Sequence, residues 1–539
     1  MRAAGARAID AGPAGAAPVV RRAGKRGGRA VKASWHPARF ARVQSRTDAG
    51  LVIVRRGLAT KGDPRKGHAV SRPADASLRG LRELLVRVGV AALLVSGCGA
   101  PSDGAEPALV IRDARLWDGT GSPARDGITI VVHGDTIAAV GPTEGVDVPR
   151  GAEVVDAAGL FVMPGLWDMH VHALWAPDVP SAVLPLFVAH GITGVRDMGG
   201  TVEILREARR EVAAGAYVAP RIVAAGAILD GPQPVHADVS IAIETAAEGV
   251  AAVDSLHAAG ADFIKVYTLL PAEAFEAVMR RAAELDLPVA GHVPAAVGPA
   301  RAAELGLRSV EHTMNELGGL CPRTQMAECD EVFGALLEHR VWQDPVLAVE
   351  RDWDAAQAAR DPRMLYMPAS LREYWLGGAG APERDTVDAR IAGPDPVEWR
   401  TFPPPPDEPP EELWLTRAAH ERGLRLLAGT DAGVPPSLPG WSLHEELRLL
   451  VEAGLTPEEA LVAATRGPAE FLGIDDEAGT IEVGKAADLV LLSGDPLRDI
   501  RATRLVAGVV MAGEYLSGAA LDSFVMAVRR QVASPENPR

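Results

Sequence analysis

The chain has 539 residues, 47% of them hydrophobic and 23% charged, with a net charge of -16. That is the make-up of a globular protein too long for one ordinary core. The charge is uneven: residues 1–80 hold 18 Lys/Arg against 4 Asp/Glu, leaving 37 against 67, a net of -30, for residues 81–539. A body that acidic repels polyanions and excludes non-specific nucleic-acid binding. The basic head, rich in Arg, Gly and Ala without periodicity, reads as disorder.

In the head, Arg79, Arg82 and Arg87 precede a short apolar stretch at 88–95. This is far below the roughly 20 residues a membrane helix needs. A charged region, a short apolar core and small residues at its end have the layout of a secretory signal peptide. The ending Val95-Ser96-Gly97-Cys98 resembles a bacterial lipobox, which implies a lipid on Cys98. The other reading is a buried apolar helix ending at Gly97. On the first reading, 1–77 is a basic extension, non-native or disordered, and 78–98 is the signal. The protein is then exported and lipid-anchored to the bacterial cell envelope, on its periplasmic or surface side. The remaining cysteines, Cys321 and Cys329, lie eight apart. They are a candidate disulfide in an oxidising compartment, or two free thiols.

Residues 99–107 form a small polar linker. Strand patterns follow at 108–116, 128–133 and 136–140, with His133-Gly134-Asp135 as the turn between the last two. Similar patterns return at 479–492 and 505–511. Strand clusters at opposite ends share a sheet only if the chain between them closes on itself. The spacing therefore predicts a composite β-sandwich from 108–164 and 476–520. Between them, 165–475 has roughly the length of one (β/α)8 TIM barrel. Eight strand candidates lie there, at 165–172, 192–197, 221–225, 262–267, 288–292, 308–312, 341–346 and 424–431. Helical stretches such as 271–285 and 456–465 show i, i+3, i+4 apolar spacing, and Pro271 and Pro457 suit first turns. One connection, 347–423, is unusually long and carries Trp353, Tyr374, Trp375, Trp399 and a proline-rich run. It reads as an insert over the active-site face, a lid or substrate wall rather than core. Residues 521–539 read as a C-terminal tail.

Candidate metal ligands gather at the C-terminal ends of these strands, where a barrel builds its active site. His170 and His172 alternate onto one face of the first strand. Lys265 lies on the fourth, His292 and His312 end the fifth and sixth, and Asp431 ends the eighth. Four imidazoles and a carboxylate suit Zn2+, with Mn2+, Co2+ or Fe2+ also compatible. A lysine buried there is costly as an ammonium. It makes sense as a carbamate formed with CO2, which is a bridging carboxylate. Tyr267 shares a strand face with Lys265, and His236 sits in the loop after the third strand; both are candidate substrate contacts. Arg196 and Asp197 read as a structural ion pair. His444 reads as part of a helix opening near 443, and His190, His257, His339 and His420 read as helical scaffold.

These motifs (the HxH of 170–172, IKVY, GHVP, EHT and GTDAG, with Gly194-Val-Arg-Asp-Met-Gly-Gly200 and Gly484-Lys-Ala-Ala-Asp-Leu-Val490) resemble those of the binuclear amidohydrolase superfamily, in its imidazolonepropionase-like and prolidase-like branch. The resemblance covers about 108–515. It implies one metal on His170, His172, Lys265 and Asp431 and a second on the Lys265 carbamate, His292 and His312. It also implies hydrolysis of a C–N bond in an amide or cyclic amide by a metal-bridging hydroxide, with Asp431 as general base and acid. The alternatives are a prolidase-like dipeptidase on Xaa-Pro or other dipeptides, and a non-catalytic surface metal-binding module. The expected partner is a small amide or dipeptide, with no nucleic acid and with membrane contact only through the lipid; a homo-oligomer stays open.

Overall fold

The computed structural model describes residues 108–533 except 314–316, 319, 322–325, 351–359 and 377–408; of 326–328 only the backbone is described. Cys98, the signal-like stretch and the linker lie outside the described residues.

The first flank supplies strands β1 (Leu109–Leu116), β2 (Arg125–His133), β3 (Thr136–Pro142), β4 (Glu153–Asp156) and β5 (Phe161–Pro164). The inner segment supplies β6 (Leu166–Val171), β7 (Ile192–Asp197), β8 (Arg221–Ala224), β9 (Ile228–Asp230), β10 (Ser240–Ala242), β11 (Ile264–Val266), β12 (Val289–Gly291), β13 (Ser309–Glu311) and β14 (Trp342–Asp344). The last flank adds β15 (Leu489–Leu492), β16 (Val506–Met511) and β17 (Glu514–Ser517). Both flanks meet in one eight-stranded mixed sheet, ordered β17-β16-β15-β5-β1-β2-β3, with β4 beside β1. The join is the antiparallel pair β5–β15, Phe161 opposite Leu492 through Pro164 opposite Leu489. Gly165 passes the chain from this sheet to the inner one. A Cβ built there would fall 2.1 Å from Thr193 Oγ1, so only glycine allows the crossing.

The inner strands pair in parallel, as β6-β7-β8 and β10-β9-β11-β12-β13-β14. Helices on their outer side include Pro180–Ala189, Ala246–Ala259 and Ala272–Glu284. Thr245 and Thr456 each close a capping box with a glutamate three residues on. The eighth expected strand is not a continuous ladder. Isolated bridges set Ala432 beside Val171 and Leu426 beside Gln343. Backbone hydrogen bonds from Met169 N to Ala428 O (2.9 Å) and from Leu427 N to Gln343 O (2.8 Å) hold the segment between β6 and β14. At the other side, Asp262 N donates to Ala224 O (2.9 Å), and Val266 is registered with Leu229.

Three expectations change. The boundaries 347–423 are too wide for an insert standing off the core. Met364, Met367, Leu371 and Trp375 join the main apolar cluster, and Glu411–Glu421 is a helix burying Leu413, Leu415, Ala418 and Ala419. The proline run had suggested loop, but it stops at the start of that helix, whose apolar spacing is helical. The C-terminal stretch is no tail through residue 533: Gly518–Ala533 is a helix that buries Leu521 and Val528. Cys321 and Cys329 form no disulfide. Both are buried free thiols, hydrogen-bonded to each other within an apolar cluster, and burial pushes the Cys321 thiol up.

Glu446, in the helix Trp441–Glu452, is fully buried and accepts the Ala348 N–H at 2.7 Å. Burial pushes its carboxyl up to about 8. The native chain then keeps a proton that the unfolded chain releases near 4.5, so stability falls as pH rises from about 4.5 to 8. Glu446→Gln is expected to flatten that fall, its Tm gaining on wild type between pH 5 and pH 8. Parallel Tm profiles would count against this.

Candidate metal centre

Strand alternation turns His170 and His172 the same way from β6, and both are buried. His172 Nδ1 lies 3.0 Å from the Gly199 carbonyl, which can only accept. Nδ1 therefore carries a proton, and Nε2 meets Asp431 Oδ1 at 3.0 Å; against the effect of burial, that contact raises the His172 imidazole above its ordinary range. His170 Nδ1 meets Glu311 Oε2 at 3.1 Å, while its Nε2 makes no hydrogen bond among the described residues and lies 3.4 Å from Asp431 Oδ1. His312 Nε2 lies 3.8 Å from the other Asp431 oxygen. The ligand atoms of His170, His312 and Asp431 fall within 4.8 Å of one another. His292 continues the group, its ring centroid 5.0 Å from that of His312 and its Nδ1 3.0 Å from Thr268 Oγ1. Lys265, on β11, is 1% exposed, with Nζ 5.7 Å from the Tyr267 ring centre.

His312 and Asp431 both have positive φ (52° and 58°), the left-handed region that non-glycine residues seldom enter. Such strain is held where surrounding structure over-determines it, often at functional sites. One constraint is visible at Gly429, where a Cβ would fall 2.6 Å from the His170 Cβ. Asp168 supplies another. It accepts from Thr430 N (3.1 Å) and Thr430 Oγ1 (2.7 Å), tying β6 to the segment that ends in Asp431.

The electrostatics suit metal ligation. Burial, then the Lys265 charge and the neighbouring imidazoles, hold His170 and His292 well below the ordinary histidine range. Burial also takes His312 down to about 4, against the pull of Asp431. Burial works to raise the Asp431 carboxyl, but His172, His312 and Lys265 hold it down to about 2. Neutral imidazoles at His170, His292 and His312 beside an ionised carboxylate are protonation states a divalent cation requires, while His172, raised by Asp431, would release its Nε2 proton to an incoming ion. The donor set fits such an ion.

All six expected ligand residues are thus buried around one centre. Tyr267 and His236 are there as well: His236 Nε2 lies 3.1 Å from the Tyr267 hydroxyl, and Tyr267 stacks on His292 at 3.9 Å. The Arg196–Asp197 pair is not formed, because adjacent strand residues face opposite sides. Arg196 reaches under the centre to Glu311 (2.7 Å), Ser309 Oγ (3.0 Å) and Asp344 (3.3 Å). Asp197 accepts the backbone N–H groups of Ala173 and Leu174. His444 is buried against Thr503 in its helix, away from the cluster. The sequence reading missed Glu311, Asp168, Trp175 and the placement of Tyr374. The available signal was a carboxylate inside an otherwise apolar strand, twice, next to a histidine or two residues before one.

A model of the Amidohydrolase family matches residues 410–516. The imidazolonepropionase of Acidiphilium cryptum (strain JF-5) is 28% identical over 418 residues, covering 72% of this chain and 94% of that protein. Among solved structures, a prolidase-assigned protein from Bifidobacterium longum is 26% identical with a TM-score of 0.58, covering 79% of this chain and 99% of its own. A Xaa-Pro dipeptidase with bound methionine in its active site has a TM-score of 0.57 at 23% identity, covering 76% of this chain and 100% of its own, a likeness of fold. Family model, relatives and site motifs point the same way: residues 410–516 match the Amidohydrolase family, and most of the chain is similar to imidazolonepropionases and to a prolidase-assigned structure.

Proposed function

We propose that the chain is a binuclear metal-dependent hydrolase of C–N bonds in amides or cyclic amides. The observation that carries this is the buried convergence of four histidines, Lys265 and Asp431, with His170 Nε2 left without a hydrogen bond among the described residues. His170, His172, Lys265 and Asp431 would hold one ion, and Lys265 as carbamate, His292 and His312 the other, Zn2+ being the ion this donor set suits best. Two such ions supply an activated water at neutral pH and polarise a carbonyl. Asp431 takes the proton of the attacking water and passes it to the leaving nitrogen as the C–N bond breaks. Glu311 holds His170 in the orientation that keeps Nε2 toward Asp431, and Arg196 fixes Glu311 in turn. Hydrolysis of a panel of N-acyl amides, cyclic amides and dipeptides by metal-reconstituted protein tests the reading. Metal binding without turnover on any of them would favour the non-catalytic module.

Partners of metal-bound histidines typically change metal affinity about 10–100-fold when removed. Glu311→Gln should therefore lose metal to a competing chelator about that much more readily, together with a lower Tm from the weakened buried pair with Arg196. Equal retention would show that Glu311 serves only the Arg196 network.

The same reading includes a closed barrel. The contacts of the segment 424–432 with β6 and β14, and of β8 and β9 with β7 and β11, support a ring of eight parallel strands with the ligands at one end. The mixed sheet, with apolar clusters on both faces, supports the sandwich-like companion domain. For the head of the chain we propose export and lipidation at Cys98. Expressed in a bacterium, the protein should partition with membranes and Cys98→Ala should stop maturation. A soluble product keeping residues 1–97 would exclude it.

A further inference from the structure

The helix Ala369–Leu376, within the long connection, is anchored to the metal centre at both ends. At its start Ser370 donates to Asp178 from its N–H (3.2 Å) and hydroxyl (2.6 Å), and Asp178 lies six residues beyond His172. At its end Trp375 Nε1 donates to the carbonyl of Gly433 (2.8 Å), two residues beyond Asp431. Between these anchors the Tyr374 ring lies 5.7 Å from that of Trp175. Trp175 stands edge-on to His172 at 5.0 Å and to His236 at 5.3 Å. His236 meets Tyr267, which stacks on His292. Tyr374, Trp175, His236 and Tyr267 therefore form one band of rings from the insert helix to the far side of the centre, touching it at His172 and His292. Trp175 and Tyr374 are half-buried, neither sealed in the core nor given over to solvent.

We propose that this band is the substrate-recognition surface, and that it takes a neutral substrate with a flat aromatic ring beside the scissile C–N bond, Trp175 and Tyr374 being the specificity-determining pair. The inference rests on the hydrolase reading above and deepens it. Aromatic faces offer offset-stacked and edge-to-face partners to a flat ring, worth more than burial alone. A free dipeptide instead brings a carboxylate, which is costly to desolvate unless an opposite charge meets it. The band is two phenols, an indole and an imidazole. None of the four side chains is a carboxylate, an ammonium or a guanidinium, so the band offers ring faces and hydrogen-bonding groups rather than a fixed countercharge. Arg372, on the same helix, is two positions from Tyr374 and so projects from the far side at about 100° per residue.

The test uses the full chain with its metals and three substrates: acetanilide, N-methylacetamide and glycyl-proline. Wild type should prefer acetanilide to glycyl-proline in kcat/KM by at least tenfold. Trp175→Ala and Tyr374→Ala should each raise the KM for acetanilide about tenfold, with the KM for N-methylacetamide moving less than threefold. Tyr374→Phe, which keeps the ring, should stay near wild type. A preference for glycyl-proline, or equal KM changes for the ring-bearing and small amides, overturns the proposal. Binding separates it from the hydrolase reading. Acetanilide binding, followed by equilibrium dialysis in an Asp431→Asn background, should weaken about tenfold on adding Trp175→Ala. If wild type cleaves none of the substrates, the hydrolase reading fails while this measurement still decides the band. No acetanilide binding, or binding unchanged by Trp175→Ala, sinks it.

Discussion

Asp431→Asn is expected to leave the fold intact and to cut kcat by several orders of magnitude. The side chain is nearly isosteric, and the segment it ends is held by bonds the change does not touch: Asp168 to Thr430, and Asp431 N to His170 O at 2.7 Å. What disappears is the one carboxylate that faces three imidazole nitrogens, at 3.0, 3.4 and 3.8 Å. A general base contributes about 10²–10⁴-fold, and an amide oxygen is also a poorer metal ligand than a carboxylate. The paired measurements are kcat on the best substrate found and metal per chain. A kcat within tenfold of wild type at full metal occupancy would remove Asp431 from the proton path and leave it a ligand only. Loss of the thermal transition would show that the left-handed backbone at 431 tolerates only the native side chain.

The residues that gather at the buried centre were legible because metal chemistry restricts residue type. Few side chains bind a divalent cation, and strand periodicity puts those at 170 and 172 on one face. The flank sheet was legible for a similar reason: alternating apolar runs at 108–116 and 505–511 need partners, and they meet in one sheet through β1, β5, β15 and β16. What the sequence hid depends on contacts between distant residues. Glu311 and Arg196 are 115 positions apart, and Ser370 and Asp178 are 192 apart. Asp197 beside Arg196 looked like an ion pair because adjacency in sequence suggests adjacency of side chains, which a strand forbids. The eighth strand was visible as an apolar run, yet it passes close to His170 at Gly429 and bridges its neighbours at single residues rather than along a ladder. The long connection misled for a different reason. Its proline-rich run dominates the local composition, while the helices on either side of it each bury only one face.

Lys265→Ala is expected to lose at least one metal ion per chain. Lys265 is 1% exposed on a strand whose neighbours include His292, one residue past β12, and its charge acts on both His170 and His292. As an ammonium it would sit among the same imidazoles that a cation needs, opposing any ion bound there and paying a desolvation penalty as well. As a carbamate it would invert that sign, turning a repulsive group into a carboxylate that could hold metal. On that reading its removal would cost the centre a ligand. Short carboxylic acids, added at millimolar concentration, fit the vacated space and should restore part of both metal content and activity. The competing reading keeps Lys265 as an ammonium making an ordinary ion pair. On that reading Lys265→Ala removes a repulsive charge, so metal content stays equal or rises and carboxylic acids do nothing. Metal analysis of the two proteins, purified side by side with bicarbonate present, separates the readings: equal metal per chain would end the carbamate assignment.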